Sequence, residues 1–310
     1  MRKLVLLCAS LCAMMLLFSG SPAQAQNVLW VSPGGSDSNL CSLTAPCLTF
    51  QGAYNKGSVS QINCLSSGSY GLIIITTSLT IDCGTGNVGN IFSPGTFNAA
   101  IQINSSSTIN VVLRHLSLVG LGTGGLGIAV ATGFTTGSLV VEDCVVQGFQ
   151  FGIRFFSTSG RSLIDVANSR FINNSIAGIN FDPQGASTIE TIALDHVEIS
   201  GGGVGLNIEA DSGVAAGTIR NSLILGNSSD GILTAASQVY LTVDNSAINA
   251  NVGVGIHANS ANSNIDVFSS TIGANGTGVQ ASAGAIVSFG NNGLNGNGAN
   301  GNFTSTTPLL

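Results

Sequence analysis

The sequence has few charged residues, and very few of them are basic. Only 7% of the 310 residues are Asp, Glu, Lys or Arg. If a leader that contains Arg2 and Lys3 is removed, six basic and 14 acidic residues remain, the net charge is −8, and Lys56 is the one lysine left. Such a chain offers no basic surface to nucleic acid or to an anionic membrane. A nucleic-acid partner is therefore not expected.

The sequence also lacks any stretch with the length and amphipathic pattern of a long helix. Nevertheless 44% of the residues are hydrophobic, and 42 are glycine. A chain with this apolar content must bury most of these side chains rather than remain disordered. An architecture other than a helical bundle must therefore form the core.

Residues 1–25 have the pattern of a secretory signal peptide. Arg2 and Lys3 precede an apolar run over residues 4–18, and an Ala-Gln-Ala cleavage site follows at 23–25. The apolar run is shorter than the roughly 20 residues of a membrane-spanning helix. We therefore expect a mature chain that begins at Gln26, is secreted or periplasmic, and has no membrane span after cleavage.

Eight short apolar segments repeat along residues 101–294. One equivalent anchor position recurs at intervals of 28, 25, 28, 25, 24, 24 and 22 residues, about the length of one β-helix coil. The positions three residues before and two residues after each anchor are apolar in every repeat, ending with Phe289 and Leu294. The anchors are Leu116, Cys144, Ser169, Val197, Ser222, Ser246, Ser270 and Asn292. The pattern predicts an all-β, right-handed parallel β-helix in which these apolar columns point inward.

The residue before each anchor is polar in all eight repeats. These residues are His115, Asp143, Asn168, His196, Asn221, Asn245, Ser269 and Asn291. Because Asn tolerates the left-handed backbone conformation, the column predicts a corner between two strands and a stacked Asn ladder, with the two histidines as substitutes for Asn.

A further strand in each coil opens with Gly followed by a branched apolar residue. The glycines are Gly127, Gly152, Gly178, Gly205, Gly231, Gly255 and Gly278. Since Gly has no side chain, we expect these residues to allow a sharp turn into the strand.

The two ends of the repeat region have distinct compositions. In residues 47–57, Leu48, Ala53 and Tyr54 have helix-like spacing, which predicts a short amphipathic helix capping the N-terminal end of the solenoid. Residues 26–100 are thus expected to hold an N-terminal strand, this helix and the first coils. Residues 295–310 are rich in Asn and Gly, and we expect them to form a less ordered tail.

Five cysteines remain after export, and four lie near the expected cap. An oxidising compartment permits pairing of Cys41 with Cys47 and of Cys64 with Cys83. Cys144 occupies an anchor column filled mostly by Ser, which favours a buried, inert thiol.

The stretch 27–54, NVLWVSPGGSDSNLCSLTAPCLTFQGAY, and the coil repeats that follow resemble the pectin-lyase-like superfamily of right-handed parallel β-helix proteins. The stretch is similar to the strand, Gly/Asp turn and capping helix with which many secreted members begin, and the repeats extend the resemblance to about residue 294. The superfamily includes lyases, hydrolases, epimerases, adhesins and proteins with no known reaction, so the resemblance implies a fold rather than an activity. The NTD, adjacent-Asp and GHG motifs of its pectin-degrading hydrolases are absent from this sequence, as is the Arg-x-x-Lys arrangement of related lyases.

The resemblance implies that sugar would bind along the outer face of the strands that begin with Gly. Outward positions on this face hold three charged residues on consecutive coils, Arg154, Asp182 and Glu209. The same face holds Phe156, Asn180, Asn207 and His257, which we take as candidate substrate-binding residues.

Two chemistries remain open for this face. Asp182 and Glu209, with neighbouring amide oxygens, could hold a calcium ion while Arg154 acts as the base on a bound uronate, as an arginine does in lyases that this chain resembles. Alternatively, the two carboxyl groups could divide the acid and nucleophile roles of a glycoside hydrolase, and Phe156 could stack on a sugar ring. The third interpretation is an ordinary solvated surface with no site.

Three functions follow from these interpretations. The favoured one is an exported β-helix protein that binds carbohydrate at the cell envelope or outside the cell, with no cofactor other than a possible calcium ion. The alternatives are a polysaccharide lyase or glycoside hydrolase acting on an acidic polysaccharide, and a surface adhesin or structural rod. The sequence does not determine the oligomeric state.

Overall fold

Three parallel sheets wind together into a β-helix. The computed structural model describes residues 27–84, 86–94, 99–122, 124–131, 137–209, 212–235 and 238–308. The predicted signal peptide, residues 1–25, lies outside these described residues. Each successive coil adds one strand to each sheet, and every strand pairs in parallel with its equivalents in the coils before and after. The structure confirms the predicted parallel β-helix.

The three sheets are named here by their order within a coil. Sheet 1 consists of β1 (Val28–Val31), β2 (Gln61–Cys64), β5 (Leu79–Asp82), β8 (Ile109–Arg114), β11 (Gly137–Glu142), β14 (Arg161–Ala167), β17 (Ile189–Asp195), β20 (Val214–Arg220), β23 (Gln238–Asp244), β26 (Ser263–Phe268), β29 (Ala285–Ser288) and β32 (Ser305–Thr306). Sheet 2 consists of β3 (Gly68–Ser69), β6 (Gly89–Ser93), β9 (Leu116–Gly120), β12 (Val145–Gln147), β15 (Arg170–Ile172), β18 (Glu198–Ser200), β21 (Leu223–Leu225), β24 (Ala247–Asn249), β27 (Thr271–Gly273) and β30 (Gly293–Asn295). Sheet 3 consists of β4 (Ile73–Ile75), β7 (Ala99–Ile103), β10 (Leu126–Val130), β13 (Phe151–Ser157), β16 (Ala177–Pro183), β19 (Val204–Ile208), β22 (Ile232–Thr234), β25 (Val254–Ala258), β28 (Thr277–Ala281) and β31 (Ala299–Gly301).

The predicted apolar columns form the core. Fourteen of the sixteen positions are buried, and the two exceptions, Phe289 and Leu294, belong to the last repeat. The prediction for Phe289 is wrong, because Ile286 points inward and the alternation of the strand then places Ser288 opposite Val267. Phe289 instead stacks on Phe268, with the ring centroids 3.9 Å apart.

Two sheets continue into residues 295–310, the segment for which a tail was predicted. β31 pairs with β28, and β32 pairs with β29. Their residues are exposed, so this last part of the solenoid adds hydrogen bonds but little to the core.

The corner between sheets 1 and 2 is confirmed by its backbone conformation. Seven of the eight predicted corner residues have a φ between 44° and 55°, and at the eighth corner Gly290 takes the left-handed conformation in place of Asn291. The expected side-chain ladder is short. Asn245 donates to Asn221 at 2.7 Å, and Asn221 donates to Asp195 at 2.8 Å.

A serine ladder satisfies the buried backbone at this corner. The hydroxyl of Ser270 accepts from the backbone N–H of Ser246 at 3.1 Å, and the hydroxyl of Ser246 accepts in the same way from Ser222. Each of these hydroxyl groups donates in turn to a carbonyl of its own coil, as Ser246 does to Asp244 at 2.8 Å. The serine-rich anchor column is therefore a hydrogen-bonded ladder between coils.

A second ladder, of buried asparagines, lies at the corner between sheets 2 and 3. The Oδ1 atom of Asn275 accepts from the backbone N–H of Asn251 at 3.0 Å and from its side-chain amide at 2.9 Å. In the same way, the Oδ1 atom of Asn251 accepts from Asn227, and that of Asn297 accepts from Asn275. The Asn251 side chain also donates to the carbonyl of Ile224. Each asparagine thus bridges its own coil to the neighbouring coils.

The glycines that open the sheet 3 strands are required for a different reason from the one predicted. Gly152 does not have a positive φ, so it does not supply a left-handed turn. A Cβ atom placed on Gly152 would lie 2.4 Å from the carbonyl oxygen of Gly178 in the next coil. Gly is therefore needed because the backbones of neighbouring coils approach too closely for any side chain.

A short helix, α1 (Phe50–Tyr54), lies within the segment predicted to cap the N-terminal end. The Thr49 hydroxyl begins it by accepting from the backbone N–H of Gly52 at 2.8 Å. The helix buries Phe50 and Ala53, whereas Leu48 precedes it and is exposed. The capping role itself stays a prediction. Among the described residues, no helix has the length and apolarity needed to cross a membrane.

The two expected disulfides are present. Cys41 is bonded to Cys47 and Cys64 to Cys83, with Cα atoms 4.5 and 4.4 Å apart. Cys144 is free and buried, and burial raises the pKa of its thiol to about 12. A thiol with so little thiolate is chemically inert, in agreement with the sequence interpretation.

Replacement of a ladder asparagine should destabilise the solenoid far more than replacement of an exposed one. Asn251→Ala leaves the buried N–H of Asn227 and the carbonyl of Ile224 without their partners. We expect a loss of about 2–4 kcal/mol in the free energy of unfolding, measured by denaturant titration. The exposed Asn259→Ala should change it by no more than about 0.5 kcal/mol. Equal effects of the two variants would contradict the ladder account.

Candidate functional site

The outward side of sheet 3 brings most of the predicted site residues together. Arg154 is paired in register with Asn180, and Asn180 with Asn207, on three consecutive coils. Two residues further along the strands, Phe156 is paired with Asp182. We refer to this surface, together with Glu209 on the third coil, as the Arg154 face.

Arg154 is held by aromatic rings rather than by a carboxylate. Its guanidinium carbon lies 5.4 Å from the ring centroid of Phe151 and 5.9 Å from that of Phe156. Among the described residues Arg154 has no ion pair, and its buried Nε atom has no hydrogen-bond partner. By contrast, Arg114 pairs with a carboxylate at 2.7 Å. The rings therefore contact a positive charge that is not paired with any carboxylate among the described residues.

Three of the predicted outward residues are buried, which corrects the interpretation of an ordinary solvated surface. The exposed fraction is 1% for Asn180, 5% for Asn207 and 7% for Asp182. The Asn207 amide donates to Asn180 at 2.9 Å and to Glu209 at 2.7 Å, and Gln184 donates to Asp182. The buried Asn207 amide therefore positions Glu209, which is exposed, while Arg154 and Phe156 are half-buried.

The predicted calcium site is not tested by this geometry. Asp182 and Glu209 lie on adjacent coils, but no group of three or more His, Cys, Asp or Glu residues in the described part of the chain is arranged to hold a metal ion. Asn180 already accepts a hydrogen bond from Asn207. Calcium binding by Asp182 and Glu209, with the amide oxygens of Asn180 and Asn207, stays a prediction.

His257 does not belong to the Arg154 face. It lies two coils beyond Asn207 along sheet 3, because Asn207 pairs with Leu233 and Leu233 with His257. Its Nδ1 atom contacts Asp230 at 2.8 Å, and its Nε2 atom contacts the Ser282 hydroxyl at 2.9 Å.

The sequence interpretation missed Asp230, because it lies in a connection before β22 and not at a strand position. Ser282 likewise lies just beyond its strand, directly after β28. The signal available in the sequence was spacing, since Asp230, His257 and Ser282 are separated by 27 and 25 residues, about one coil each.

A carboxyl group is also buried inside the solenoid beside the Arg154 face. Glu190 of β17 points inward with no exposed surface, and its Oε1 atom accepts from the Ser157 hydroxyl at 2.6 Å. Its Oε2 atom has no hydrogen-bond partner among the described residues. Burial, with a smaller contribution from the charge of Asp182, raises the pKa of Glu190 to about 8. Glu190 is thus mostly protonated at neutral pH.

A shallow groove follows the other side of the solenoid, at the corner between sheets 1 and 2. It has a volume of about 410 Å³ and is lined by amides and hydroxyls that include Asn221, Asn245 and Thr271. These groups belong to the structural ladders of that corner. His196 also lines the groove, but no carboxylate does, so we place the candidate site on sheet 3.

Comparison with known proteins gives structural likeness only. No family model matches the chain, and no curated protein sequence matches it. Two solved structures are similar over 84% of the chain, each with a TM-score of 0.56. One is pectate lyase Pel9A, with 15% identity and 74% of its own chain covered; the other is a rhamnogalacturonan lyase, with 13% identity and 75% covered.

The chain has a pectin-lyase-like β-helix fold. This agrees with the family resemblance found in the sequence. At these identities the likeness shows the fold alone. It does not assign a chemistry to the Arg154 face.

The buried Glu190 should make the stability of this pectin-lyase-like solenoid depend on pH. Because its pKa is raised in the folded state, its protonated form stabilises the fold below a pH of about 4.5, and this contribution is lost as the pH rises toward about 8. We expect the free energy of unfolding to fall by about 3 kcal/mol between pH 4.5 and 7, and Glu190→Gln to remove that decline. Denaturant titrations across this range measure both.

The control for this prediction is Glu198→Gln. The hydrogen bond from Arg170 lowers the pKa of Glu198. The ionised Glu198 therefore stabilises the fold at neutral pH, and this contribution is lost only when the pH falls below the usual pKa of a glutamate. This variant should keep the wild-type decline between pH 5 and 8. If Glu190→Gln also keeps it, Glu190 is not the group responsible.

Proposed function

We propose that this protein is exported and binds an acidic polysaccharide along the Arg154 face. The observation that supports this most directly is that the Arg154 guanidinium lies against two aromatic rings and has no ion pair among the described residues. A guanidinium can bind a carboxylate through two parallel hydrogen bonds, and a uronate carboxylate offers that group. The half-buried Phe156 ring beside it offers an apolar surface to the face of a sugar.

The repeat of the solenoid suits an extended ligand. Neighbouring coils lie about 4.8 Å apart, so a chain running along the solenoid axis meets a new row of side chains at each coil. Arg154 contributes from the first coil, and Glu209, held by Asn207, contributes two coils later. Glu209 is placed to accept from sugar hydroxyls, whereas Arg154 is placed to bind the acidic group.

Export is supported by features at the N-terminal end. The predicted signal peptide directs the chain out of the cytoplasm, and two disulfides are stable in an oxidising compartment. The similar structures are named as lyases of pectate and of rhamnogalacturonan, which makes a glycan ligand a reasonable choice for this face.

Cleavage of the bound polysaccharide is the second candidate. The observation that favours it is the placement of two carboxyl groups, Asp182 and Glu209, on adjacent coils beside Arg154. A lyase or a glycoside hydrolase needs groups of this kind at the scissile bond. The adhesin and structural-rod alternatives gain no specific support from the described residues.

Truncation of the half-buried Arg154 and Phe156 side chains should weaken polysaccharide binding. We expect Arg154→Ala to lower the affinity for polygalacturonate about 10- to 100-fold, because a charge-assisted hydrogen bond is lost, and Phe156→Ala to lower it about fivefold. Affinity electrophoresis or calorimetry, with and without calcium, measures the affinity.

Matched controls lie on sheet 1. Arg161 and Tyr240 are exposed there, and their replacement by Ala should leave the affinity unchanged. Equal losses in all four variants, or none, would contradict the proposal. Release of unsaturated products or reducing ends that disappears in Glu209→Gln would establish cleavage, whereas binding without product would leave a binding protein.

A further inference from the structure

Three side chains on consecutive coils of sheet 3 form a continuous hydrogen-bonded chain. Asp230 precedes β22, His257 lies in β25, and Ser282 directly follows β28. The Asp230 Oδ2 atom is 2.8 Å from His257 Nδ1, and the Ser282 hydroxyl oxygen is 2.9 Å from His257 Nε2. The serine and the carboxylate thus contact opposite nitrogens of one imidazole ring, as in an activated nucleophile, its base and the group that orients the base.

The hydrogen bonds made by Asp230 and Ser282, at the two ends of this chain, indicate which atoms donate and which accept. The Asp230 carboxylate accepts from the backbone N–H of Val254 at 2.7 Å through Oδ1, so Oδ2 is directed at His257. A carboxylate can only accept, so in the neutral imidazole the proton lies on Nδ1 and Nε2 is an acceptor. At the other end the Gln280 side-chain amide donates to the Ser282 hydroxyl at 2.9 Å. The serine proton is therefore directed at Nε2.

Exposure decreases from the nucleophile to the carboxylate. Ser282 is exposed, whereas the side chains of His257 and Asp230 are only 15% and 14% exposed. The hydrogen bond between His257 and Asp230 is thus largely shielded from solvent, and the hydroxyl at the other end of the chain is exposed. The residues next to Ser282 are small, Ala281, Ala283 and Gly284, and Ser282 itself is exposed.

We propose that Ser282, His257 and Asp230 form a catalytic triad that hydrolyses carboxylic esters of short acyl groups. The Ser282 oxygen attacks the ester carbonyl carbon while its proton passes to His257 Nε2. The bond from that carbon to the alkoxy oxygen breaks, and His257 returns the proton to the leaving alcohol. Water then attacks the acyl-serine with His257 as base, which releases the carboxylic acid and restores the serine.

Gln280 and Asp230 have distinct supporting roles in this reaction. The Gln280 amide donates to the Ser282 oxygen. The carbonyl oxygen of the substrate acquires its negative charge beside this atom, where the same amide is in reach to stabilise it. Asp230 is a positioning residue that holds the tautomer of His257. The triad does not depend on polysaccharide binding at the Arg154 face, because no residue is shared between them.

The test combines a covalent probe with a chromogenic ester. The purified protein is treated with a fluorophosphonate, the labelled serine is located by mass spectrometry, and hydrolysis of p-nitrophenyl acetate is followed from pH 5 to 9. We expect labelling at Ser282, and hydrolysis that falls about 100-fold or more in Ser282→Ala and in His257→Gln. Asp230→Asn should lower the rate and also move the midpoint of the pH–rate profile, which a purely structural loss would not do.

The control is Ser228→Ala, which removes an exposed serine two residues from Asp230 in the sequence. This variant should be labelled by the fluorophosphonate and should hydrolyse p-nitrophenyl acetate as the wild type does. Each variant is compared with the wild type by denaturant titration, so that loss of folding is distinguished from loss of chemistry. The triad is excluded if the folded wild type is not labelled at Ser282, or if Ser282→Ala hydrolyses the ester at the wild-type rate.

Discussion

Backbone N–H groups at the corners of each coil have no strand partner, and most of the structure depends on how they are satisfied. At one corner a serine hydroxyl of the next coil accepts from the buried backbone, as Ser270 does from Ser246, and at the other an asparagine amide does so, as Asn275 does from Asn251. A buried N–H left without a partner would cost on the order of 1–3 kcal/mol. Because the acceptor in each of these bonds belongs to the neighbouring coil, the bonds favour stacking of the coils in register, which makes the apolar columns continuous.

The same stacking assembles chemistry from residues that are far apart in the chain. Asp230, His257 and Ser282 are brought into one hydrogen-bonded chain, and Arg154, Asn180 and Asn207 into one row, because each coil returns the backbone to the same face. Sheet 3 is suited to this because its opening glycines let neighbouring backbones approach closely. The rest of each strand is then free to present different outward side chains from coil to coil.

Many of the buried polar groups find their partners in the ladders, although a few hydroxyl groups, such as those of Ser93 and Ser263, have no partner among the described residues. Ser270 and Asn251 are buried without penalty since their polar atoms are bonded. Glu190 is the contrasting case, with one oxygen bonded to Ser157 and the other without a partner, and it responds by holding its proton. The charge of Asp182 adds to burial in raising the pKa of Glu190.

The sequence by itself determined the fold, the inward columns and the left-handed corners, because the interval of 22 to 28 residues repeats and local backbone preferences act within a few residues. It also located Arg154, Asp182 and Glu209 on one face. It did not predict that Asp182 is buried, that Phe289 leaves the core column, or that Asp230 meets His257. These outcomes were decided by the tertiary structure. Side-chain burial and contacts between coils depend on neighbours about 25 residues away in the sequence, and the repeat pattern does not specify the rotamers or the loops of those neighbours.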